Sequence, residues 1–187
     1  MTSTIESIRA EFLRYKALAE AAIAQVQESD LSAQNPGSDN SIAVICWHVS
    51  GNFESRFTDF LTSDGEKPWR DRESEFQGRS VTRAELLAKW HRGWDVVLKV
   101  LSELTDDDGR RTVTIRGQSL QVNEAVVRSL AHVAYHVGQI VYIAKSLQGK
   151  DWAFLTIPPG QSDAYNRSPA IERATAHAES LANRRTP

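Results

Sequence analysis

Four stretches of the chain repeat apolar residues at steps of three and four, and this spacing limits the fold more than any other feature. Ile5, Ile8, Phe12, Tyr15, Ala19, Ala22 and Val26 form the first seam. Ile42, Ile45, Val49, Phe53, Phe57 and Phe60 form the second, and Leu87, Trp90, Trp94, Val97, Leu101 and Leu104 the third. Val126, Leu130, Val133, Val137, Ile140, Ala144 and Leu147 form the fourth. Residues three and four apart share one side of an α-helix, so each stretch reads as a helix with a single apolar stripe. Four such helices bury their stripes most simply against one another, which predicts an all-α chain built as a four-helix bundle.

Local signals agree with these limits. Thr82 with Glu85 makes a capping box, and Asp39, Asn40 or Ser41 can cap the second helix. Asn123 precedes the fourth seam with Glu124 in its first turn, where a negative charge meets the helix dipole favourably. Pro36 and Gly37 close the first connection, and Gly149 supplies a stop after the fourth helix. The polar stretch 63–80 is too long for a tight helix hairpin and predicts a crossover between the second and third helices, or a cover over a site. Residues 111–122 alternate β-branched side chains around an Arg-Gly turn and are compatible with a small hairpin. Residues 151–169 read as an irregular segment anchored by Trp152 and Phe154. The division expected is one domain over 1–168, followed by a polar, alanine-rich tail over 169–187 that is either a short accessory helix or frayed.

Composition narrows the class. A formal net charge of -2 with scattered basic residues argues against a nucleic-acid partner. The longest apolar run, residues 42–47, is far short of the roughly 20 residues a membrane span needs. The first residues lack a secretory layout, and the single cysteine allows no internal disulfide. The expectation is a cytoplasmic protein.

Within the fourth stretch, His132 and His136 stand one helical turn apart on the shoulder of the stripe. The second stretch carries a matching polar line of His48, Asn52, Ser55 and Asp59, with Arg56 nearby. Should the two shoulders face each other, His48, His132 and His136 converge. Three neutral imidazoles suffice for a divalent metal and leave a position for water, thiol or substrate. The pair alone is more simply read as two helix histidines bonded to neighbours or water. Val133 stands where a zincin protease needs glutamate, and no Glu-x-x-His precedes any of the three, which excludes the di-iron carboxylate pattern. Asn52 and Gln139 lie within a turn of these histidines and could orient a ligand or substrate. Cys46 is expected as a small core residue, His91 as a surface or packing residue, and His177 as a residue without function. Arg70 and Arg72, in the crossover, could attract an anion.

The ordered stretches 41–76, HVAYHVGQIVYIAK and WAFLTIPPGQSDAYN resemble the DinB-like superfamily of metalloenzymes, with the likeness running over about residues 5–168. That resemblance implies a four-helix bundle with a long crossover between helices 2 and 3. It also implies a homodimer and a divalent metal, zinc or nickel, on His48, His132 and His136. Some members of that superfamily transfer low-molecular-weight thiols such as bacillithiol or mycothiol. The activity implied here is thus a metal-dependent transfer of such a thiol to an electrophilic substrate. A non-catalytic metal or small-molecule sensor and a metal-dependent hydrolase are the other two readings.

Overall fold

The computed structural model describes residues 3–34 and 40–184. Pro36, Gly37 and Asp39 lie outside the described residues. The four seams become four long helices: α1 (Thr4–Ile23), α2 (Ile42–Phe57), α4 (Arg83–Glu103) and α5 (Val122–Gln148). Between α2 and α4 the crossover carries a single turn, α3 (Arg72–Glu75), and a hairpin of β1 (Thr112–Ile115) and β2 (Gln118–Gln121) precedes α5. Two short helices follow, α6 (Ser162–Arg167) and α7 (Ala174–Ala182). The described chain is therefore mostly helical, with one small two-stranded sheet.

The four long helices start where the sequence supplies a side-chain acceptor for the free amides at their N-termini. Ser3 caps α1 with Glu6 in a reciprocal box, and the Asp106 carboxylate accepts from the Thr4 and Ile5 amides at 3.0 and 2.9 Å. Ser41 caps α2 through the Val44 amide, and Thr82 with Glu85 boxes α4. The cap of α5 differs from expectation. Gln121 holds that position and its amide donates to Glu124 at 2.7 Å, so Asn123 sits inside the helix. Gly149 ends α5, as its place after the seam predicts.

The second seam also needs correction. Helix α2 stops at Phe57, and Asp59 adopts a positive φ of 49° that turns the chain out of the helix. Phe60 nevertheless stays buried, stacked on Phe57 at 5.1 Å, so the apolar rhythm outlasts the helix that started it.

Helix α2 lies against α4 and α1 against α5, while α1 also meets α4 and α2 meets α5. Their stripes meet in one core whose centre is aromatic. Phe53 and Trp94 have ring centroids 5.0 Å apart, Trp90 and Trp94 5.3 Å, and Phe12 packs edge-on to Trp94. All four of these residues are fully buried. Such pairs contribute about 0.5–1.5 kcal/mol each beyond the area they remove from water.

Gly93 sets the spacing of α2 and α4. A Cβ there would stand 2.6 Å from Ser50 Cα, so the two backbones touch where no side chain fits. Gly93→Ala is expected to lower stability by about 1–3 kcal/mol through overpacking, read as a reduced urea midpoint. An unchanged midpoint would mean that the helices can part freely.

The C-terminal stretch packs as α7 along α1, with Leu181 and His177 both buried. The His177 Nε2–H donates to the Leu155 carbonyl at 2.8 Å. That bond ties α7 to the irregular segment, where Trp152 is also buried, so His177 has a structural job that its polar neighbourhood concealed.

Candidate metal centre

His48 projects from the middle of α2, and His132 and His136 project one turn apart from the middle of α5. Their side chains meet: the ligand atoms of the three lie within 4.8 Å of one another. The Nε2 atoms of His48 and His132 are 3.2 Å apart. Ring centroids stand 5.2 Å apart for His48 and His132, 4.9 Å for His48 and His136, and 4.5 Å for His132 and His136. Two nitrogens bound at about 2.0–2.1 Å to one tetrahedral zinc are about 3.3 Å apart, close to the separation of His48 and His132.

The outer nitrogens decide which atoms face inward. His48 Nδ1 lies 2.9 Å from a Glu75 oxygen and His136 Nδ1 lies 2.8 Å from Gln139 Oε1. Both partners accept, so both Nδ1 atoms carry the proton and both Nε2 atoms keep a lone pair. His132 Nδ1 is buried with no partner among the described residues. A proton on His132 Nε2 would bond to His48 Nε2, and a cation held at His132 Nε2 would require that proton to sit on Nδ1 instead. The donor set therefore fits a divalent ion.

Electrostatics point the same way. Burial, followed by the charges of His136 and His48, pushes His132 down to about 3. Burial also pushes His136 down to about 4, against the opposing hydrogen bond with Gln139. Both rings are neutral near pH 7, the state a metal requires. In the metal-free chain this has a stability consequence. The unfolded chain takes up protons at these histidines below about 6.5, whereas the folded chain does so only near 4 and 3. Their contribution is complete above pH 6.5 and is lost as the pH falls toward 4. Urea midpoints of metal-free protein are expected to drop between pH 6.5 and 4.5, and a His132→Gln, His136→Gln double variant should flatten that slope. A wild-type midpoint constant over this range would contradict the buried, neutral rings.

The carboxylate behind His48 comes from a place the sequence did not disclose. Helix α3 carries Glu75 against His48, and Phe76, which follows, lies over the same ring at 4.5 Å between centroids. Glu75 also takes two hydrogen bonds from Arg70, Nε to Oε1 at 2.8 Å and Nη2 to Oε2 at 2.9 Å. The side chains of Arg70, Glu75 and His48 are only 3%, 7% and 7% exposed. Burial raises the Glu75 carboxyl, but the bonds from His48 and Arg70 outweigh it and hold the group below the usual carboxylate range. Arg70 is thus committed to Glu75 and does not stand ready for an anion, whereas Arg72 is half exposed and pairs only with the exposed Glu73, at 3.0 Å.

Room for Glu75 is made by Gly51, one turn after His48. A Cβ at that position would stand 2.2 Å from Glu75 Oε1. A glycine inside an apolar helix costs about 1 kcal/mol against alanine and usually has a packing reason. Gly51 was therefore the signal in the sequence that something approaches α2 beside the histidine.

The rest of the polar line on α2 holds the crossover. Ser55 Oγ donates to the Gly65 carbonyl at 2.8 Å and accepts from the Lys67 amide at 3.2 Å. Arg56 pairs with Glu66 at 3.0 Å, and Asp59 uses its carbonyl to accept from the Thr62 and Ser63 amides. Asn52 lines a cavity beside His132. Gln139, besides accepting from His136, donates to the Tyr135 hydroxyl at 3.3 Å. Elsewhere, His91 is exposed and bonds to Glu20 at 2.9 Å, and Cys46 is wholly buried with its thiol pushed up by that burial.

Fold and site together define a helical protein with a buried group of three histidines, drawn from two long helices, that could hold a metal ion. The model of a family of proteins of unknown function, DUF1572, matches residues 1–161, and the chain belongs to that family. No curated protein and no solved structure with significant similarity was found. No helix of the described residues is long and apolar enough to cross a membrane.

Proposed function

We propose that this chain is a metal-dependent enzyme of the DinB-like kind, a four-helix bundle holding one divalent cation, zinc or nickel, on His48, His132 and His136. The observation that carries the reading is the meeting of the three rings with two of them tied back, at Nδ1, to Glu75 and Gln139. A cation held by neutral ligands alone is a strong Lewis acid and lowers the cost of turning a bound thiol into a thiolate.

The chain's own residues prepare this chemistry. Glu75 and Gln139 fix the tautomer and the direction of two ligands, and the Glu75 charge makes His48 a better donor. Arg70 keeps Glu75 in place and ionised, and Phe76 covers one face of the His48 ring. With one oxygen on Arg70 and the other shared between Arg70 and His48, Glu75 is not free to serve as a general base. That arrangement favours transfer of a low-molecular-weight thiol to an electrophile over hydrolysis. The one cysteine, buried and reduced, suits a cytoplasmic setting. The exposed side chains of Val127, Tyr135 and Tyr142 give α5 an apolar face that a second copy would cover in a homodimer.

The test is conjugation of glutathione and of cysteine to 1-chloro-2,4-dinitrobenzene by zinc- or nickel-loaded protein. Turnover lost on chelation and in His136→Ala supports the reading. One bound metal with no turnover for either thiol favours a sensor instead, and light scattering at the mass of one chain would contradict the dimer.

A further inference from the structure

Beside the three rings a cavity of about 260 Å³ opens between α2, α5 and the hairpin, and His132 forms part of its wall. Its chemistry is two-sided. Phe57, Phe60 and Leu120 give it an apolar wall, while Arg56, Arg116 and Arg128 also line it.

Carboxylates do not balance these three charges. Glu66 pairs with Arg56 at 3.0 Å and with Arg116 at 2.8 Å, which occupies one carboxylate with two guanidiniums. Asp64 is spent on the turn of the hairpin, where it accepts from the Arg116 and Gly117 amides at 2.8 Å each. Arg128 has no hydrogen-bond or ion-pair partner among the described residues. Ser129, next to it in the same wall, has a buried hydroxyl that is likewise without a partner among them. An unpaired arginine lining a largely apolar cavity offers a fork for a carboxylate and favours it over a neutral ligand of the same shape.

We infer that this cavity seats a small organic acid with an apolar body, its carboxylate on Arg128 and its body against Phe57 and Leu120. It thereby assigns a substrate class to the metal-dependent reading on which it rests, since His132 belongs to both the cavity and the three-histidine group. The volume admits a chain of a few carbons rather than a large ligand.

The experiment is calorimetric titration of the zinc-loaded full chain with hexanoate and with hexanamide, its neutral counterpart, with zinc content measured in parallel. Hexanoate is expected to bind at least tenfold more tightly. Arg128→Gln, an exposed helix position, should abolish that preference while leaving zinc content unchanged, and Leu120→Trp should block both ligands by filling the cavity. Failure of hexanoate to bind, equal affinity for the two ligands, or a preference that survives Arg128→Gln would overturn the assignment. If zinc binds and the preference is absent, this inference alone fails. If the preference is present in protein that takes up no zinc, the metal reading fails and the cavity assignment stands.

Discussion

Glu75→Ala is expected to lower the stability of the chain by about 3 kcal/mol and to weaken divalent-metal binding by about 10- to 100-fold. The stability loss follows from what is left behind. Arg70 is 3% exposed at its side chain, and without Glu75 its charge is buried and unopposed. Removing one partner of a buried pair costs more than the pair contributes net, because the survivor stays desolvated. The metal effect has a separate origin: His48 loses the acceptor that keeps its proton on Nδ1. Urea unfolding reads the first effect and calorimetric zinc titration the second. Gly51→Ala should reproduce the metal effect with the carboxylate still in the chain, because a Cβ at 2.2 Å from Oε1 drives Glu75 away from His48. Wild-type stability in Glu75→Ala would show that Arg70 reaches water or another partner.

His48→Ala and His136→Ala are each expected to take the metal content of purified protein from one ion per chain to nearly none, measured by elemental analysis. Either change leaves two nitrogen donors, too few to hold a divalent ion against the buffer. The helices should survive. Val49 and Phe53 on α2, and Val133 and Val137 on α5, carry the burial that keeps the helices together, and neither substitution touches them. Far-ultraviolet circular dichroism close to wild type, alongside the loss of metal, is the expected combination. Undiminished metal content in both variants would move the site elsewhere.

The parts of this fold that were legible in the sequence are those fixed by local periodicity. The seams marked four helices, Thr82 with Glu85 marked where one starts, and the Arg116–Gly117 pair marked the hairpin turn. The end of α2 was not legible, because Phe60 keeps the apolar rhythm after Asp59 has already turned the chain. His132 and His136 had to share a face of one helix. Whether His48 would face them depended on how α2 is set among its neighbours, which rests in part on the contact of Gly93 with Ser50. Glu75 could not be read at all. It lies 27 residues from His48 within a polar crossover, and only tertiary packing, allowed by Gly51, brings the two together. The C-terminal residues looked polar because α7 buries only a narrow strip, at His177 and Leu181, against the rest of the chain.

Whether three imidazoles of one chain share one ion is decided by X-ray absorption of the zinc-loaded protein. Three histidine nitrogens at about 2.0–2.1 Å, falling to two or fewer in His132→Ala, is the result expected. A zinc spectrum with fewer than three imidazole scatterers in the wild type, or one that His132→Ala leaves unaltered, would contradict it.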